Sequence, residues 1–277
     1  MIFRVPLAGV VVFGFLAVSA CTSTPIYQTL PGTGTSTSNL GGAALHYVAS
    51  TTPQQITPLT GSVNRATNAV ALNDGTYPFL DANGFDAGGG LSNPLGSGLR
   101  LDSHGTNLFT NSYAYVLPIQ YHYTVGGVTS SYVGTVGIET RGTDIPIGGT
   151  AHYTGEAFGT VVPAVGITNA MVGGTSVVDV NFTTSQVNVT MGFNAPTSPV
   201  DAIAGTGMQI VGTSFSGGTW RTYKNGAVVN VTGLGPRPSS IGDFYGYDSA
   251  RNGPAEVAGV VLMKGGSATV YGMYLAK

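Results

Sequence analysis

One pattern constrains this chain more than any other: apolar or aromatic side chains return at every second position. Ile119, Tyr121, Tyr123 and Val125 alternate with Gln120, His122 and Thr124. Val178, Val180 and Phe182 alternate with Asp179 and Asn181, and Val187, Val189 and Met191 repeat the pattern. Successive side chains of a strand point to opposite faces, so each run has one face to bury and one to leave in water. Turn signals separate the runs at Asn73-Asp74-Gly75, Gly126-Gly127 and Asn225-Gly226, where a hairpin reverses with φ > 0 at low cost. Gly, Thr, Ser, Val and Tyr dominate, 43 residues are Gly, and the helix formers Glu, Lys, Gln and Leu are sparse. The expectation is an all-β fold, either a sandwich or a closed barrel. A barrel also removes the unpaired edges that a chain so rich in β formers would otherwise expose.

Strand-like runs are expected at 132–140, 150–161, 177–183, 186–192, 207–215, 219–224, 227–232, 256–263 and 269–275. Upstream, residues 43–125 hold shorter strands. They include a hairpin from Val70-Ala71-Leu72 to Thr76-Tyr77-Pro78-Phe79, and a Gly-rich loop at 88–100.

The N-terminus reads differently. Arg4 precedes an uncharged run over 5–17, and Val18-Ser19-Ala20 puts small residues before Cys21, the one cysteine of the chain. This is the layout of a secretory leader, 1–20, and its apolar run falls short of the roughly 20 residues a spanning helix needs. Val18-Ser19-Ala20-Cys21 resembles the bacterial lipobox. That resemblance implies cleavage before Cys21, a diacylglycerol on its sulfur, palmitate-type acyl chains, and a membrane partnership through that anchor. Each buried methylene contributes about 0.8 kcal/mol, so two or more chains anchor stably. Thr22 stands where an Asp would, in the enteric sorting rule, retain a lipoprotein at the inner membrane, so the outer membrane is the expected address. Residues 21–42, rich in Thr, Ser, Gly and Pro, read as the lipidated Cys21 and a tether. With no second thiol, stability has to come from a core.

Charge excludes one class of function. Only 8% of residues are charged, and 12 Asp and Glu stand against 10 Lys and Arg with no basic block. The footprint that nucleic acid requires is missing. Catalysis needs convergent titratable groups, and the candidates do not converge. Gly212-Thr213-Ser214-Phe215-Ser216 fails the last position of a nucleophile elbow, and Asp102-Ser103-His104 has the residue types of a triad without its geometry. His46, His104, His122 and His152 lie far apart with no zinc spacing. Asp81, Asn83 and Asp86 suggest a calcium loop that no Glu completes. Trp220, beside Arg221 and Tyr223, reads as core or rim packing rather than a binding anchor. The expectation is a protein that is no enzyme and needs no metal. One stretch, Tyr121-His122-Tyr123, suggests a cofactor, because His and Tyr ligate haem iron, although alternation turns His122 away from both tyrosines.

Two segments are similar to a known family. Gly149-Thr150-Ala151-His152-Tyr153-Thr154-Gly155 resembles the G-T-A-x-Y-x-G strand of transferrin-binding protein-like lipoproteins. Gly242-Asp243-Phe244-Tyr245-Gly246, with Ala250 and then Ala255-Glu256-Val257-Ala258-Gly259, resembles their G-x-F-Y-G and A-E-x-x-G signature. The resemblance implies an eight-stranded antiparallel barrel over 129–277, preceded by a smaller handle-like β subdomain over 43–128. It implies a surface lipoprotein that binds a host or environmental macromolecule in iron acquisition, with an integral outer-membrane protein as a further partner. Within it, Gly155, Gly159, Gly246 and Gly259 are expected to relieve crowding at corners or bulges. Phe244 and Tyr245 are expected to plug a barrel end, and Glu256 to accept backbone hydrogen bonds at a turn. The family's proteins carry two such lobes and this chain has room for one, so transferrin itself is not the expected ligand. The other readings are a haem or small-ligand carrier, a structural envelope lipoprotein, and an integral outer-membrane barrel. The last is opposed by the anchor and by an end, Leu275-Ala276-Lys277, without a terminal aromatic.

Overall fold

Gly127, at a φ of 80°, reverses the chain between two long strands, and this hairpin organises the first of two antiparallel sheets. The computed structural model describes residues 37–48, 52–53, 55–64, 69–73, 78–81, 100–104, 113–125, 127–165, 169–232 and 237–277. The first sheet contains β1 (Thr37–Val48), β2 (Gln55–Asn64), β3 (Ala69–Asn73), β4 (Pro78–Asp81), β5 (Arg100–His104), β6 (Val116–Val125) and β7 (Val128–Ile138). Their order is β4-β3-β2-β1-β7-β6-β5. The second is built from β8 (Thr150–Pro163), β9 (Asn169–Asn181), β10 (Gln186–Gly192), β11 (Ala202–Val211), β12 (Ser214–Ser216), β13 (Thr219–Lys224), β14 (Ala227–Val229), β15 (Arg237–Tyr245), β16 (Glu256–Lys264) and β17 (Ala268–Ala276). Pairing runs β10-β9-β8-β17-β16-β15-β12-β11, and β11 pairs back onto β10, which closes an eight-stranded barrel. The expected all-β architecture, a C-terminal barrel preceded by a smaller sheet, is the one observed.

Several boundaries differ from the sequence reading. The expected run 207–215 is two strands, β11 and β12, and the run 177–183 belongs to a strand that starts at Asn169. Three further differences bear on the architecture. The barrel begins at Thr150 rather than at 129, because β7 pairs with β1 and β6 in the first sheet. Alternation marks a strand but not its neighbour, and the short Gly126-Gly127 connection ties β7 to β6. The first strand begins at Thr37, so Thr37 to Gly42, read as tether, pair in register with β2. Backbone pairing needs no apolar side chain, and Gly42 suits the spot: a Cβ there would lie 2.0 Å from the Thr135 carbonyl oxygen. Finally, β15 takes in the first four residues of the signature Gly242 to Gly246 and was not foreseen as a strand.

The lumen is filled by the apolar half of each alternating strand: Val178 and Val180 of β9, Val187, Val189 and Met191 of β10, then Phe244 between Phe182 and Phe215. Ring centroids lie 5.9 Å from Phe182 to Phe244 and 5.2 Å from Phe215 to Phe244. Outside, Asp179, Asn188 and Thr190 face solvent. Apolar within and polar without is the reverse of a barrel that spans a bilayer. Strands β16 and β17 are buried on both faces. Val257 and Val261 enter the lumen, while Ala258, Val260 and Leu262 point outward against Ala43, Leu45 and Val116 of the first sheet. This double burial is why residues 257–263 are almost continuously apolar. Each such side chain contributes about 1.5–3 kcal/mol when fully buried.

Candidate functional site at one barrel end

Strand β8 starts, and strand β15 finishes, at the same end of the barrel. The two segments that carry the family resemblance therefore meet there. Tyr153 of β8 is buried, and its hydroxyl donates to the Pro254 carbonyl at 3.0 Å, tying the β15–β16 connection down. That connection, residues 246–255, is braced from within. Asp248 and Gly253 exchange backbone bonds at 2.8 and 3.3 Å, and Asp248 Oδ1 accepts the Ala250 N–H at 2.9 Å. The Tyr247 hydroxyl donates to Asn252 Oδ1 at 2.9 Å, with Asn252 left-handed at a φ of 51°. The loop opens at Gly246, which needs glycine twice over. Its φ is 62°, and a Cβ would fall 2.3 Å from the Tyr115 ring.

Arg251 reaches back over this frame. Its guanidinium carbon sits 5.2 Å from the Tyr153 ring centroid and its Nε lies 3.5 Å from Asp248 Oδ2. Burial pushes the Tyr153 phenol up to about 12, with Arg251 pulling it down and Asp248 pushing it up. The phenol stays neutral and acts as a hydrogen-bond donor, not a base. Between β8 and the loop lies a groove of about 450 Å³ bordered by Thr150, His152, Tyr153, Arg251, Asn252 and Pro254. A second depression of about 330 Å³ shares Thr150 and His152 and continues across Asp179 and Asn188. His152 Nδ1 and Asp179 Oδ1 are 2.7 Å apart on the exposed outer face. Ile147 and Tyr247 stand exposed at the rim, and Val211 is exposed at the same barrel end.

The arrangement offers hydrogen-bond donors and acceptors, an aromatic-backed cation and exposed apolar side chains. Arg251 and His152 at the groove each already have an acidic partner, Asp248 and Asp179. Among the described residues no group of three or more His, Cys, Asp or Glu is placed to hold a metal ion.

The residues singled out from sequence fall into several places. Gly149, Thr150, Ala151 and Tyr153 border the groove, and Ala250 lies in its loop. Gly155 lies under the Tyr113 hydroxyl, which donates to the Leu275 carbonyl at 3.0 Å. Gly242 and Gly259 oppose each other across β15 and β16, beneath the Tyr274 hydroxyl. Phe244 is in the lumen, but Tyr245 is not a plug. Strand alternation sends it outward, where its ring packs on Gly137 of the first sheet. The Glu256 carboxylate accepts three backbone N–H groups, from Ala114 at 2.6 Å, Tyr115 at 2.9 Å and Val116 at 3.1 Å. Trp220 is core: buried, over Gly205, with Nε1 donating to Gly217 and Ser240. Tyr121, His122 and Tyr123 sit in β6 opposite Tyr132, Ser131 and Ser130, in the first sheet rather than at the groove, and their side chains lie outside the described residues. Asn83, Asp86 and Cys21 also lie outside them. Tyr247, Asp248, Arg251 and Asn252 were missed. Their one sequence signal was membership of the run between Gly246 and Glu256, in which Ala250 was the residue singled out for the resemblance.

Fold and groove define a two-part β protein: a closed barrel with a packed lumen, a smaller sheet laid on its outer wall, and a groove at one barrel end. No protein-family model and no curated protein matches the chain. Among solved structures it is similar to transferrin binding proteins. Intact Ap-TbpB, with N and C lobes, aligns at 12% identity and a TM-score of 0.46 over 88% of this chain and 77% of that one. Isotype 1 TbpB from serogroup B Neisseria meningitidis aligns at 17% identity and 0.48, over 85% of this chain but 43% of that one. A protein described as a surface lipoprotein aligns at 14% and 0.41, over 86% and 98%. The likeness is one of strand architecture.

Proposed function

We propose that this chain is a lipid-anchored binding module of the bacterial outer membrane, acylated on Cys21, which holds a macromolecular partner at the barrel end formed by residues 147–153 and 246–254. It turns over no substrate. The observation that carries this reading is the braced loop. Tyr153, Asp248 and Asn252 hold Arg251 and the exposed Tyr247 in place before any partner arrives, which lowers the ordering cost of binding. The motif resemblance supports a surface receptor and suggests iron acquisition as its setting, with an integral outer-membrane protein as a neighbouring partner. The test is capture of serum and envelope proteins by the purified protein, beside variants Arg251→Ala and Ile147→Asp. The expected result is a specific partner whose binding falls at least about tenfold in both variants while their unfolding midpoints hold. Equal capture by the variants would move the site elsewhere, and no specific partner would favour a structural envelope lipoprotein. A Soret shift on adding haem would instead favour the small-ligand carrier.

A further inference from the structure

The seam between the two sheets holds a polar cluster separate from the groove. Strand β15 sends Phe244 into the lumen and turns Asp243 and Tyr245 outward, where Thr135 of β7 faces them. Asp243 is 3% exposed, and Tyr245 and Thr135 are 0% exposed. Asp243 Oδ1 accepts the Ser214 hydroxyl at 2.6 Å. Its Oδ2, the Tyr245 hydroxyl and the Thr135 hydroxyl are buried beside one another in weak contact, and none makes a well-formed hydrogen bond.

The other acid in reach is Glu139, whose backbone bridges Tyr245 and whose own carboxyl is pushed up by burial. From β12 comes Ser214, from β16 the register partner Ala258, from β17 Tyr274, and from β1 Ala43 and Leu45. No described basic side chain pairs with Asp243 or Glu139. A carboxyl in such a place is tolerable while neutral and costly once ionised.

We propose that Asp243 is a protonation latch: neutral, it lets the first sheet lie against the barrel, and ionised, it loosens this seam and the loop that leaves Tyr245. Burial is the main force holding the carboxyl up at about 7; the Ser214 hydroxyl opposes it, Glu139 adds to it, and Tyr245 opposes it weakly. The sign follows. An unfolded or opened Asp titrates near 4, so the closed seam is fully favoured below about pH 4 and loses that advantage as pH rises to about 7. The loop is joined mechanically to the seam. Gly246 N–H donates to the Ile138 carbonyl at 3.0 Å, Thr140 N–H to Phe244 at 2.9 Å, and the Thr140 hydroxyl to Gly246 at 2.7 Å.

The test uses the full chain. Carbon-13 carboxyl shifts follow Asp243, and amide hydrogen exchange, corrected for its intrinsic pH dependence, follows Ile138, Thr140 and Gly246. In the native protein Asp243 should titrate near 7, and opening at those amides should rise about tenfold per pH unit between about pH 4 and about pH 7, then level off. Asp243→Asn should remove that rise. Glu139→Gln should lower the Asp243 midpoint and move the plateau down with it. Titration of Asp243 near 4, a rise that persists in Asp243→Asn, or a titration near 7 that leaves the three amides unmoved would each overturn the latch. If Asp243→Asn does not fold, the direction of the Glu139→Gln shift decides.

Discussion

Single side chains do different work here from what their types suggest. Glu256 is one of three glutamates in the chain, yet its task is architectural. Burial pushes its carboxyl up, while the three amides of 114–116 and Lys277 pull it down. The three amides that meet its carboxylate are all donors, so removing it leaves N–H groups with nothing to accept them, at about 1–3 kcal/mol each. Glu256→Ala is expected to destabilise the protein by about 3–5 kcal/mol in urea unfolding. Glu256→Gln keeps one acceptor oxygen and should cost less. Equal losses for the two variants would mean that packing, not hydrogen-bond acceptance, is what Glu256 supplies. Tyr153 is similar in kind: it reads as a candidate phenol in a groove, but its hydroxyl is occupied by the Pro254 carbonyl.

Among the strands, closure of the barrel is uneven. Strands β16 and β17 pair over long registers and bury both faces. Strand β12 is three residues long and completes the ring through Ser214, Phe215 and Ser216 alone, with Asp243, Gly242 and Ile241 on one side and Gln209, Ile210 and Val211 on the other. Gly217 and Gly218, both at positive φ, then break it from β13, which pairs with the other half of β11 on one side and with β14 on the other. Local opening follows buried apolar contact and hydrogen-bond density. Amides of β12 should therefore exchange faster than those of β16 and β17, under conditions where the molecule does not unfold globally. Equal protection would mean that the barrel opens as one unit.

For the whole molecule, the packed lumen and polar outer wall leave the lipid on Cys21 as the proposed hold on the membrane. Cys21→Ser should abolish acylation and move the protein from the membrane fraction, or leave it with an uncleaved leader. Unchanged mass and fractionation would remove the anchor from the proposal. The groove would be unaffected by that outcome.

Alternation, turn dipeptides and composition are local, and they determined by themselves that this chain is made of strands. The limits of β10 and β13 fall where the pattern put them. The motif segments determined that those strands close into a barrel with a smaller sheet before it. Tertiary structure alone decided which strands are neighbours. It placed β7 in the first sheet and turned Tyr245 into a seam rather than into a plug. It also brought the amide of Ala114 to Glu256 across 142 residues and the hydroxyl of Tyr113 to Leu275 across 162. The groove belongs to this second kind. Arg251 and Tyr153 carry no mark of each other in sequence, because strand β8 and the β15–β16 loop meet only once the ring has closed. The physical reason is the same throughout. A period of two assigns a side chain to a face, but what lies across that face is set by pairings between segments far apart in the chain.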